Sequence, residues 1–197
     1  MNIVIMGPPG AGKGTVCKKL AQDFNYRLIT AGDLLRAEKS SGSSLGKRIA
    51  SIIDNGNLVP DDMITRIMLK EISKPISINQ SYLVDGYPRT IVQAKDLERM
   101  INIPVVIWLD VSDKTTIERN LKRGETSGRP DDANVDVIKQ RIENYKKDSY
   151  PLKNYYFDKI IEVDGEGSPE DVYSRIVDIL FKTKQELKDI DDILWKK

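Results

Sequence analysis

Lys13, Asp85 and a scatter of arginines are the residues of this chain whose types and spacing suit chemistry on phosphates. Lys13 sits in the run Gly7-Pro8-Pro9-Gly10-Ala11-Gly12-Lys13-Gly14-Thr15, directly after Asn2-Ile3-Val4-Ile5-Met6. That preceding run is short, apolar and β-branched, as a buried parallel strand is. Val16, Leu20 and Phe24 then follow at helical spacing. Glycines between a strand and a helix let successive backbone N–H groups turn inward around a phosphate. The new helix points its unpaired N–H groups and positive dipole end at the same place. Gly7, Gly12 and Lys13 meet the pattern G-x-x-x-x-G-K of a phosphate-binding loop, in which the lysine reaches the outer phosphates. Gly14 stands where Ser or Thr usually follows, and Thr15 comes one residue later. A glycine-rich turn without a ligand is the competing reading, and the agreement of motif with strand–helix context weighs against it.

Asp85 closes the apolar run Tyr82-Leu83-Val84. A carboxylate at that strand end suits Mg²⁺ held through waters, since Mg²⁺ dehydrates reluctantly; a turn cap is the alternative. Arg36, Arg89, Arg119, Arg123, Arg129 and Arg141 recur at loops or helices around the same edge. Guanidinium groups bind phosphate oxygens bidentately and stay charged when desolvated. Each alone reads as a solvated surface charge. Together, beside a phosphate loop, they suggest a reaction between two phosphorylated molecules.

These residues need a frame. Strands are expected at 2–6, 27–30, 82–85, 105–109 and 159–163. Residues 31–72 read as helical, punctuated by Gly42, Gly46 and Gly56, with Leu58-Val59-Pro60 as a turn before Asp61 and Asp62 open a helix. Ile64, Ile67, Met68 and Ile72 give that helix an apolar face. The block reads as an inserted lobe rather than another layer of the core. Gly86-Tyr87-Pro88-Arg89 is a turn, followed by a helix from Thr90. Ser112 caps a helix carrying Ile117 and Leu121, which is expected to end at Gly124. The polar stretch to Asn134 reads as a loop, and Val135, Ile138, Ile142 and Tyr145 mark the next helix. Ser168-Pro169-Glu170-Asp171 starts a helix expected to bury Val172, Ile176, Ile179 and Leu180. Residues 184–197 either dock as a last helix or fray. The fold class is α/β: a P-loop NTPase-type, five-stranded parallel sheet with helices on both faces, ligands lying beyond the carboxyl ends of the strands.

Composition excludes more than it assigns. Lys and Arg number 31 against 30 Asp and Glu, which argues against a general nucleic-acid or membrane-surface binder. Without histidine there is no Ser-His-Asp triad and no His-based metal site. The single cysteine, Cys17, cannot form an intramolecular disulfide and suits core packing in a reduced compartment. Met1 leads straight into the first strand and no apolar run approaches membrane-spanning length, so a soluble, cytoplasmic protein is expected.

Four separated segments resemble the adenylate kinase family of nucleoside monophosphate kinases: Gly7–Thr15, Ala31-Gly32-Asp33-Leu34-Leu35-Arg36, Asp85-Gly86-Tyr87-Pro88-Arg89, and Arg123-Gly124-Glu125-Thr126-Ser127-Gly128-Arg129-Pro130-Asp131-Asp132. The likeness spans roughly residues 1–183. It implies a single domain with a core of 1–30, 73–122 and 135–197, a monophosphate-binding lobe at 31–72 and a short lid at 123–134. That lid lacks the cysteine-based zinc insert of some members, so no zinc is expected. By this resemblance Gly10, Ala11, Gly12, Lys13, Gly14 and Thr15 hold the ATP phosphates. Arg119 lies against the ATP adenine, Arg123 touches the phosphates, and Gly167 offers the adenine a carbonyl. Arg36 and Arg89 clamp the monophosphate, within the turn Gly86-Tyr87-Pro88. Ala31, Asn57, Leu58, Val59 and Gln93 line the acceptor base pocket, and Arg129 and Arg141 swing onto the transferring group. The implied reaction is ATP + AMP ⇌ 2 ADP with Mg²⁺, by a monomer, with Lys13, Arg89, Arg123, Arg129 and Arg141 as the catalytic set.

Three departures matter. Ala31 replaces the threonine usual in adenylate kinases, as in UMP/CMP kinases. The Arg129–Arg141 spacing is one residue longer than usual, and the tail beyond 183 has no counterpart. Gln93 points back toward AMP, because its amide both donates and accepts, matching adenine, with some tolerance of UMP. A UMP/CMP kinase and a non-catalytic nucleotide-binding module remain the rivals.

Overall fold

The structure, a computed structural model, describes residues 1–74, 80–127 and 130–194. Five parallel strands form one sheet: β1 (Ile3–Met6), β2 (Tyr26–Thr30), β3 (Ser81–Asp85), β4 (Val105–Asp110) and β5 (Ile160–Asp164), in the order β2-β3-β1-β4-β5. Each observed strand lies within about one residue of its expected span.

The continuous apolar runs follow from burial on both faces. Successive side chains of a strand point to opposite faces. Ile3 and Ile5 enter one cluster with Val16, Cys17 and Leu20 of α1 (Lys13–Asp23) and Val172, Ile176 and Leu180 of α10 (Pro169–Leu194). Val4 and Met6 enter the other, with Met63, Ile64, Met68 and Ile72 of α4 (Asp61–Ile72) and Ala94 and Leu97 of α5 (Ile91–Met100). Leu83 and Val84 divide the same way, as do Ile107 and Trp108. Burying each large side chain of this kind stabilises the fold by about 1.5–3 kcal/mol.

The 31–72 segment forms α2 (Ala31–Ser40), α3 (Ser44–Ile53) and α4. Its apolar residues are not set apart from the core: Ile49 of α3 and four residues of α4 belong to the sheet-face cluster, while Ile67 is only partly buried. The segment is thus rooted in the same hydrophobic mass as the sheet.

The helix expected to stop at Gly124 runs on as α6 (Asp113–Ser127). Gly124 serves close approach, not termination. A Cβ there would lie 2.8 Å from the Asp132 carbonyl oxygen of α7 (Pro130–Ala133), so only glycine lets the two backbones meet. The expected loop therefore holds helix at 124–127 and a helical turn at 130–133. In α8 (Val135–Ser149) Ile138 and Ile142 are buried, but Val135 at its first position is exposed. A short helix, α9 (Pro151–Tyr155), fills a stretch whose pattern predicts nothing, with Leu152 as its anchor. Ile179 packs against the core only partly buried. The tail does not form a separate element: α10 continues unbroken to Leu194. Among the described residues no helix is long and apolar enough to cross a membrane.

Candidate active site

The parallel register aligns Ile5 with Asp85 and Met6 with Trp108, so the segments leaving β1, β3 and β4 emerge at one edge. A single cleft of about 1040 Å³ opens there. It is lined by Gly10, Ala11, Gly12, Lys13, Gly14 and Thr15 on one side and by Ala31, Arg36, Asn57, Leu58, Val59, Gly86, Pro88, Arg89 and Gln93 on the other. Asp85, Arg119, Arg123 and Arg141 complete its wall. That volume lies at the upper end of the usual range for a ligand pocket.

The loop before α1 is built for an anion. Gly10 and Gly12 both hold φ near +86°, the left-handed region where side chains are strained. Gly12 is the N-cap of α1 and no side chain caps it. A Cβ on Gly12 would meet nothing within 4 Å, so the helix start faces open space. Lys13 Nζ folds back to donate to the carbonyls of Gly7 at 2.7 Å and Pro8 at 2.8 Å. Burial lowers the Lys13 pKa to about 8; the Asp85 charge opposes this, and Arg89 and Arg123 reinforce it. Asp85 is 5% exposed, and its Oδ2 lies near the start of α1 beside Gly14. Burial raises its pKa against the opposing pull of Lys13 and Arg89.

On the far side Arg36 pairs with Asp33 of its own helix. Arg89 is held three ways: its Nε donates to the Gly86 carbonyl at 3.0 Å, its backbone N–H to Gln93 Oε1 at 2.7 Å, and its carbonyl accepts from Ser149 Oγ at 3.1 Å. Burial and the neighbouring Arg141 lower its proton affinity, although a guanidinium stays charged throughout the working range. The Tyr145 hydroxyl, in the cleft wall, is buried without a hydrogen-bond partner among the described residues.

Asp132, fully buried, joins two of the cleft arginines. Arg123 donates to both its oxygens, at 2.6 and 2.7 Å, and Arg141 donates to Oδ1 at 2.8 Å. Burial works against the Asp132 charge, yet these hydrogen bonds outweigh it and hold the carboxyl below its ordinary range. Asn120, also fully buried, donates to the Pro9 carbonyl at 2.9 Å and the Thr116 carbonyl at 2.8 Å. Its Oδ1 accepts from Arg123 at 2.7 Å. One amide thus ties the phosphate loop to a cleft arginine.

A family model described as "Adenylate kinase" matches residues 5–161. The chain belongs to the adenylate kinase family. Rat "Adenylate kinase isoenzyme 1" (Rattus norvegicus) is 40% identical over 185 residues, covering 92% of this chain and 95% of that protein. The pig protein of the same name (Sus scrofa) is 41% identical, with 88% and 91% covered. A bacterial "Adenylate kinase" from Thermus thermophilus is 36% identical, with 88% and 94% covered.

Most of the described residues singled out by the resemblance to adenylate kinases converge on the cleft, and two do not. The Tyr87 side chain is buried in the core, its hydroxyl hydrogen-bonded to Thr65 at 2.9 Å, and it does not line the cleft. Gly167 does not line the cleft, and its carbonyl accepts from Arg119 at 2.8 Å. Arg129 lies outside the described residues. Arg119 also donates to the Gly165 carbonyl at 3.0 Å, which pins it at the cleft wall. Sequence reading missed Asn120, Asp132 and Asp61. A signal existed for Asn120: α6 offers few apolar residues, so part of its inward face had to be polar and paired.

Proposed function

We propose that this adenylate kinase family member transfers the γ-phosphoryl group of ATP to AMP, giving two ADP, as a monomer in the cytoplasm, where its one buried cysteine stays reduced. The observation that carries the proposal is one cleft joining an anion-binding helix start to a second wall bearing Arg36, Arg89 and Gln93. No side chain need act as a covalent nucleophile. The AMP phosphate attacks the γ-phosphorus in line, and the protein supplies position and countercharge. Gly10–Thr15 cradle the ATP phosphates. Lys13 leaves the carbonyls of Gly7 and Pro8 to meet the outer ones. Arg36 and Arg89 orient the acceptor phosphate, and Arg123, Arg129 and Arg141 neutralise charge as it spreads over the transferring group.

Mg²⁺ fits the donors present. Asp85 is a buried carboxylate at the loop's edge, with Asp33 in the same cleft, and Mg²⁺ is typically held by one or two carboxylates, waters and substrate phosphates. When bound it neutralises charge on the β- and γ-phosphates. The protein's own task is to exclude water, which would otherwise hydrolyse ATP. Closure of the 31–72 lobe and the 123–134 lid over the cleft does this.

The acceptor base meets Ala31, Asn57, Leu58, Val59 and Gln93. The lost threonine hydroxyl at Ala31 favours a UMP/CMP kinase and forgoes about 0.5–1.5 kcal/mol. A two-point amide contact from Gln93 outweighs it. A coupled ADP-production assay with AMP, UMP, CMP, GMP and dAMP tests the reading. AMP should show the highest kcat/KM, and Lys13→Ala should lose about a hundred- to a thousandfold in rate while staying folded. Near-normal turnover by that variant, or faster transfer to UMP or CMP than to AMP at low acceptor concentration, refutes it.

A further inference from the structure

Gln93 is only 3% exposed and sits in a closed ring of hydrogen bonds. Its Nε2 donates to Asp61 Oδ1 at 2.7 Å, and its Oε1 accepts the Arg89 backbone N–H at 2.7 Å. Thr90, the N-cap of α5, accepts the Gln93 backbone N–H at 3.2 Å and donates to Asp61 Oδ2 at 3.0 Å. A glutamine amide turned by 180° exchanges its donor and acceptor ends. Here the two partners are of opposite kind: a carboxylate only accepts and a backbone N–H only donates. Turning the amide would set oxygen against carboxylate and N–H against N–H, so its orientation is fixed. One N–H and one oxygen lone pair remain for a ligand in the cleft that Gln93 lines.

The order of that remaining donor and acceptor discriminates bases. Adenine and cytosine carry a ring-nitrogen acceptor beside an exocyclic amino donor. Uracil and guanine carry a ring N–H donor beside a carbonyl acceptor. For a base held in one pose, a freely turning glutamine serves both classes and a fixed one serves only the first. Resting on the reading that Gln93 meets the acceptor base, we infer that Asp61 is a specificity-determining positioning residue, which fixes the Gln93 amide and makes the acceptor site selective for adenine and cytosine over uracil and guanine. The tolerance beyond AMP then runs to CMP, not to UMP. Asp61 acts through Gln93 from the first residue of α4, at the root of the 31–72 lobe.

CMP and UMP are nearly identical in size and differ at the edge in question, so their ratio reads the lock without a purine in the comparison. In the wild type kcat/KM for CMP should exceed that for UMP by about tenfold or more. Asp61→Ala, checked for folding by circular dichroism, should narrow the CMP-to-UMP and AMP-to-UMP ratios by about fivefold or more with KM for ATP unchanged. Asp61→Asn keeps an oxygen acceptor at the same place and should restore the preference. Equal use of CMP and UMP by the wild type overturns the lock and needs no variant. So does an unchanged ratio in folded Asp61→Ala, or an equal loss on every acceptor. If AMP proves a poorer acceptor than both pyrimidines, the AMP reading fails, while the CMP-to-UMP ratio still decides the lock.

Discussion

Binding of ATP should take up a proton at mildly alkaline pH, and Lys13 is the source of the effect. In the resting cleft burial lowers its pKa to about 8. Its ammonium is satisfied by two carbonyls, which supply hydrogen bonds but no countercharge. Phosphates favour the charged form, so binding raises the pKa. If binding restores the ordinary value near 10.4, uptake is about half a proton at pH 8 and about 0.9 at pH 9. The sign of the affinity change follows. Binding is strongest below the resting pKa and weakens as pH rises through it, by about tenfold between pH 7 and pH 9, or 1.36 kcal/mol per unit. Cys17 does not intrude, because burial pushes its thiol well up. Calorimetry in two buffers of different ionisation enthalpy, without AMP so that no turnover occurs, measures the uptake directly. Lys13→Arg, whose guanidinium does not deprotonate, should bind without it. No uptake at pH 9, with affinity flat from pH 7, would mean that Lys13 is fully charged at rest and that burial does not govern it.

Asn120→Leu removes three hydrogen bonds, one of them to a charged donor, and should cost roughly 2–3 kcal/mol. For a chain of this size that lowers Tm by about 5–10 °C, and kcat/KM for ATP should fall with it; an unchanged Tm refutes the role. Asp132→Asn leaves Arg123 and Arg141 less well balanced and should destabilise by roughly 2–4 kcal/mol at pH 7, discounted because the Arg123 side chain is 36% exposed. Because the folded-state pKa of Asp132 is depressed, its contribution is present above the ordinary aspartate value near 3.9 and lost as pH falls through the folded value. Urea denaturation between pH 6 and pH 2.5 should therefore show a shallower acid slope in the variant, and parallel slopes would refute the assignment.

What the sequence reveals and what it hides divide by locality. β1 and the Gly7–Thr15 loop are legible because apolar runs and glycine placement are properties of neighbours in the chain. Asp85 and Arg89 are legible as the end of a strand and its turn. Gly124 is not, since its meaning depends on Asp132 crossing α6, a contact no helical pattern announces. The Gln93–Asp61 bond joins residues 32 apart, so the residue type predicts an amide contact but not which partners hold it. Asp132 looks like one more surface acid in an acidic run, and only the fold shows it at 0% exposure among arginines. The core share of the 31–72 segment is hidden for the same reason: an apolar helical face states that it is covered, not by what.

The buried carboxylate between Arg123 and Arg141 also sets how the resting protein looks to ions in solution. A cleft counted by its arginines would be a strong, indiscriminate sink for any polyanion. With Asp132 already seated among them, part of that charge is spoken for. An arriving phosphate must share or replace an internal counter-ion rather than shed a cloud of dissolved ones. The salt dependence of nucleotide binding should therefore be shallower than the number of cleft arginines suggests. Small anions such as sulfate should compete poorly with a nucleotide that engages the loop and the cleft arginines at once.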